Sequence, residues 1–137
     1  MAVYGGVMGG HILLLLGPLL VSGCADGLCG NQVLRTAVSP DGQHVAVVFE
    51  RDCGATTGDS FQVSILSPGE APNGAGNIFI SAPGRSASED SQVQPVELIW
   101  LAPDRLRIQQ RARDEVFRRV REWDGVRIEY RAGDAGG

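Results

Sequence analysis

Two cysteines, Cys29 and Cys53, stand at equal distances from Asp41, which lies in the run Ser39-Pro40-Asp41-Gly42. That symmetry constrains the fold more than any other feature of the chain. Pro presets φ, Asp bonds its own backbone and Gly accepts a left-handed conformation, so S-P-D-G is a strong turn signal. It separates two strand-like segments, "QVLRTAV" and "HVAVVFE". Paired residues of an antiparallel hairpin have a constant index sum. A register centred on Asp41 sets Val33 against Phe49, Ala37 against Val45 and Cys29 against Cys53. Side chains alternate along a strand, so the cysteines should share a face with Val45, Val47 and Phe49, the expected core face.

The third cysteine has a different setting. Ile12 to Val21 is an apolar run of ten residues, interrupted by Gly17-Pro18. A bilayer span needs about twenty apolar residues, so this run suits the h-region of a secretory signal instead. The leading stretch "MAVYGGVMGGH" contains no Lys or Arg, so positive charge there comes only from the amino terminus and His11. Val21-Ser22-Gly23-Cys24 follows. It resembles the lipobox of bacterial lipoproteins, an aliphatic and two small residues ahead of an acylated Cys. The resemblance implies a signal peptide over 1–23 and a lipid on Cys24, with 24–28 as a tether to the membrane.

Export on that pattern leads to an oxidising compartment, where thiol pairs become disulfides. With Cys24 acylated, Cys29 and Cys53 remain, and the hairpin register pairs them. A zinc site wants four ligands at characteristic spacing; beyond Cys24 the chain offers two thiols and His44. A thioredoxin-type centre wants C-x-x-C, which is absent. The expectation is a structural bridge and no metal or other cofactor.

The rest of the chain reads as strands. "FQVSIL" points Phe61, Val63 and Ile65 inward and Gln62 and Ser64 outward. "NIFIS" and "PVELIWL" follow, and Ala102-Pro103-Asp104 turns the latter into "RLRIQQ". Asp124-Gly125 marks a two-residue hairpin turn before Val126, Ile128 and Tyr130. "ARDEVFRRVREW" is ambiguous, because Ala112, Val116, Val120 and Trp123 recur at helical spacing. The strand pattern beyond it favours a strand. The expected fold is all-β: a small antiparallel sandwich or barrel of about eight short strands, one domain over 29–131, with 132–137 a disordered tail. "SPGEAPNGAGN" and "PGRSASEDSQVQP" read as loops.

The S-P-D-G hairpin, Arg51 to Gly58 ("RDCGATTG") and "QVSIL" together resemble a family of small bacterial envelope domains of unknown function. The resemblance covers most of Cys29 to Tyr130. It implies an all-β domain and carries no activity.

Polar, small residues are densest from Asp52 to Ser60, "DCGATTGDS". Asp52, Gly54, Thr56, Thr57, Gly58 and Asp59 form a candidate ligand loop whose backbone can cup an anion. No Gly-Lys-Ser/Thr closes it, so it is not a P-loop. The plainer reading is a disulfide-anchored turn whose side chains satisfy local backbone groups. Hydrolase or transferase chemistry built on Asp52, Thr56, Thr57 and Asp59 is the rival. It lacks a general base other than His44, which is expected to face solvent. Glu50 and Asp52 share one side of a strand, and Trp100 and Trp123 are expected in the core.

All twelve basic residues are Arg, and the net charge is −4. Nine of these Arg lie after Asp104, interleaved with six acids. Nucleic-acid binding needs an uncompensated basic surface, so it is not expected. The sequence therefore predicts a lipid-anchored cell-envelope protein with no catalytic site. Its role would be to bind an envelope protein, polymer or small ligand. An inhibitor or immunity-like role against an envelope-attacking enzyme is a variant of the same reading.

Overall fold

The computed structural model describes residues 29–54, 58–83 and 96–133. The expected signal peptide, Cys24, the tether, Thr56 and Thr57 lie outside these residues. The fold is all-β, as expected, and its two sheets settle the alternative in favour of a sandwich over a closed barrel. One sheet has strand order β1-β2-β3-β4-β7: β1 Gly30–Val38, β2 Val45–Asp52, β3 Asp59–Leu66, β4 Phe79–Ala82 and β7 Glu115–Arg119. The other has order β5-β6-β9-β8: β5 Val96–Ala102, β6 Arg105–Arg111, β9 Val126–Gly133 and β8 Glu122–Trp123. β9 thus continues two residues into the stretch read as a tail.

The first hairpin closes through the expected turn. Ser39 N donates to the carbonyl of His44 (2.9 Å), and Gly42 N donates to that of Ser39 (2.8 Å). Asp41 Oδ1 accepts from Ser39 Oγ (2.6 Å) and Gln43 N (3.1 Å). These bonds favour the charged form and hold the Asp41 carboxyl below its ordinary value.

Away from the turn the register is the expected one, with Val33 opposite Phe49 and Gly30 opposite Asp52. Near the turn it is off by one: Ala37 faces Ala46 and Val38 faces Val45. A β-bulge between Val33 and Arg35 absorbs the extra residue.

The expected core face of β2 was the wrong one. Ala46 and Val48 join Val63, Ile65, Leu106, Ile108, Val126 and Ile128 between the sheets. Val47 and Phe49 are buried as well, but outside that cluster. They share the outer face with Gln62 and Ser64, which a loop spanning 67–78 crosses. Gln62 Oε1 accepts from Gly76 N (2.6 Å), Ser64 Oγ accepts from Asn77 N (3.1 Å), and Asn77 Nδ2 donates to the carbonyl of Ile65 (2.8 Å). A loop lid therefore replaces solvent, and β2 is apolar on both faces because both are covered.

The ambiguous segment forms two strands. β7 joins the first sheet beside β4; the chain then crosses at Val120 and β8 joins the second sheet. The helical spacing arises because Val116 and Val120 each pack against the core from this crossing segment. Asp124 (φ 49°) and Gly125 (φ 75°) close the β8–β9 hairpin with the two positive φ values a type I′ turn requires. Since β7 lies in the other sheet, β9 re-enters beside β6 in parallel, Arg105 to Arg127 through Arg111 to Gly133. That pairing departs from the antiparallel expectation.

Candidate functional site

The Cys29–Cys53 disulfide forms as expected, with Cα atoms 3.9 Å apart. It continues the β1–β2 ladder one step beyond the Gly30–Asp52 pair. Beside it Asp52 Oδ1 accepts from Gly54 N (2.8 Å), an Asx turn, while Gly54 (φ 109°) and Gly58 (φ 67°) take left-handed conformations. Asp52 and Asp59 then pair across β2 and β3. The described part of the candidate loop, Asp52, Gly54, Gly58 and Asp59, thus has the bonding of a tight link between strands.

Carboxylates crowd one side of this link. Burial raises the Glu50 carboxyl above its ordinary value, and the neighbouring Asp59 and Asp52 raise it further. This side repels an anion. Among the described residues no group of three or more His, Cys, Asp or Glu side chains is placed to hold a metal ion.

The opposite side differs. Arg51 alternates with Glu50 and Asp52, so it projects from the other face of β2. It is only 9% exposed. One terminal nitrogen, Nη1, donates to Asn31 Oδ1 (2.8 Å), and Asn31 Nδ2 donates to the carbonyls of Pro72 (3.2 Å) and Gly74 (2.9 Å). These residues line a cleft of about 510 Å³ between the disulfide end of the hairpin and the loop lid. Sequence reading missed Arg51 and Asn31 because a basic residue next to a cysteine looks like a solvated strand position. Only the lid buries it. The one available signal was the single positive charge set between two acids at Glu50-Arg51-Asp52.

His44, the one general base weighed for catalysis, is engaged elsewhere. His44 does not face solvent: its side chain is 19% exposed, its Nε2 lies 3.2 Å from Asp124 Oδ2, and its ring stacks on Trp100 at 6.5 Å. Trp100 packs against the core and donates from Nε1 to the carbonyl of Ala37 (2.9 Å). This cluster locks the first turn to the β8–β9 turn of the other sheet. Trp123 departs from its expected core position and is 41% exposed, since β8 is only two residues long and lies at a sheet edge.

Comparison of the chain with protein-family models, with curated proteins and with solved structures finds no match.

Proposed function

We propose that this chain is a lipid-anchored protein of the bacterial cell envelope whose β-sandwich binds a partner or ligand and catalyses no reaction. The observation that carries the reading is the Cys29–Cys53 bridge. Disulfides persist in oxidising compartments, and the one here lies five positions past the lipobox cysteine. An acylated Cys24 would hold the domain within about 18 Å of its anchor, the reach of five extended residues. The binding role is supported by the engagement of His44 with Asp124 and Trp100, and by the use of Asp52 to cap Gly54. With Nε2 of His44 on Asp124 and its Nδ1 buried, neither ring nitrogen is open to a substrate, and Asp52 is spent on the turn.

The test is radiolabelled palmitate incorporation with membrane fractionation in a bacterial host, comparing the natural chain with Cys24→Ala. Label and membrane association should both disappear in the variant while the domain stays folded. An unlabelled natural chain, or a variant that remains on the membrane, sinks the anchor.

A further inference from the structure

A buried charge is stable only when an opposite charge or a full set of hydrogen bonds compensates its desolvation. Arg51 has neither. The residue as a whole is nine-tenths buried, the free edge of its guanidinium opens only into the cleft, and its ion-pair partners among the described residues number none. A single side-chain bond, from Nη1 to Asn31, uses one of its five N–H groups. A second observation points the same way. In the lid that forms the opposite wall of the cleft, the backbone N–H groups of Asn73, Gly74 and Ala75 make no hydrogen bond among the described residues. Gly74 there has a φ of 81°, the left-handed step that turns successive N–H groups into an anion-binding concavity.

We infer that this cleft binds a carboxylate, with Arg51 as its counter-ion and the 73–75 backbone as further donors. This deepens the binding role proposed above and does not depend on the lipid anchor. With Nη1 committed to Asn31, the Nε and Nη2 edge remains, and its two parallel N–H groups match the two oxygens of a carboxylate. Charge balance makes the same choice. One guanidinium neutralises one monoanion, whereas a phosphate dianion would leave excess negative charge close to Glu50, Asp52 and Asp59. The volume, about 510 Å³, exceeds that of a bare carboxylate, so the ligand is a small organic acid or the carboxyl terminus of a peptide.

The experiment uses the full chain in non-ionic detergent. Isothermal titration and amide NMR shifts follow binding of butyrate, of inorganic phosphate, of a tripeptide with a free carboxyl terminus, and of the same tripeptide amidated. Binding of either acid, with shifts at Asn73 to Ala75 and no response to the amide, is the expected result. The preferred acid identifies the source as free metabolite or chain terminus. Arg51→Met, which keeps the apolar stem, should weaken that binding by about tenfold or more, the loss of at least one charge-assisted pair. It should also melt no lower than the natural chain in the absence of ligand. Equal binding of acid and amide, preference for inorganic phosphate, or no response of the natural chain to any carboxylate overturns the inference. These readouts stand even if Arg51→Met fails to fold. Failure of palmitate labelling would leave them untouched.

Discussion

Single positions in this sandwich are decided by close approach and by charge crowding. Gly76 is the clearest case of the first. A Cβ there would lie 2.7 Å from the carbonyl oxygen of Phe79, 2.9 Å from Gln62 Cβ and 2.9 Å from the carbonyl oxygen of Val63. Two of those three neighbours are backbone and cannot swing aside. Gly76→Ala should therefore cost about 2 kcal/mol or more, in the range of overpacking, as a lowered urea midpoint. Glu50 illustrates the second. Its carboxyl is held above the ordinary value near 4.5 by burial and by Asp59 and Asp52. The folded state thus binds that proton more tightly than the unfolded chain does, and ionising Glu50 works against folding. The penalty is absent below about pH 4.5, appears as pH rises through the raised value, and persists at neutrality. Glu50→Gln should raise the melting temperature at pH 7, with the gain fading on acidification towards pH 4. Asp41 behaves in the opposite sense. Its depressed carboxyl stabilises the turn above pH 3.8, and that contribution is lost as pH falls through its folded value.

At the level of elements, the first hairpin was legible and the cover over it was not. S-P-D-G and the cysteine spacing express local chemistry and ladder geometry, so the distal register, Val33 against Phe49, follows from the sequence. The bulge at Leu34 does not, because any strand of that composition can gain an unpaired residue. The same device recurs at other sheet edges. β5 carries a bulge between Trp100 and Ala102, and β7 carries one opposite the Ile80–Ser81 step. The extra residues, Leu34, Leu101 and Phe117, are all exposed. Bulged edges resist pairing with other chains, which offsets the exposed aliphatic side chains of β1. The disulfide ties down the far end of that strand. Removing it with Cys29→Ala and Cys53→Ala together should cost about 3.5 kcal/mol in the chain-entropy account, for a sequence separation of 24. Amide exchange should quicken first at Gly30 to Val33. Tyr130 makes a comparable tie on the other side. Its hydroxyl accepts from Val120 N (3.0 Å) and donates towards the carbonyls of Val120 (2.6 Å) and Ile78 (3.1 Å). Burial pushes the phenol up to about 12, so the clamp stays protonated well above neutrality. Tyr130→Phe should destabilise by about 1–2 kcal/mol in a urea titration, because it strips partners from backbone groups where the sheets meet.

For the whole molecule, the chain order interleaves the two sheets. Four strands build most of one, β5 and β6 begin the second, β7 returns to the first, and β8 and β9 complete the second. Neither sheet is a contiguous stretch of chain, and one apolar layer is shared between them. Unfolding should be a single transition, with near- and far-ultraviolet circular dichroism tracking one curve in urea. Two separated midpoints would contradict this shared core. The same interleaving limited what could be read beforehand. Turn residues and period-two alternation depend on neighbours in sequence, and they determined the all-β class, most of the strands, the three hairpin turns at Asp41, Asp104 and Asp124, and the cysteine pair. Which strands share a sheet, the parallel entry of β9 beside β6, and the lid over Val47 and Phe49 depend on contacts between residues far apart in the chain. Burial of Arg51 is of that second kind: nothing near it in sequence excludes water, and only the folded loop from 67 to 78 does.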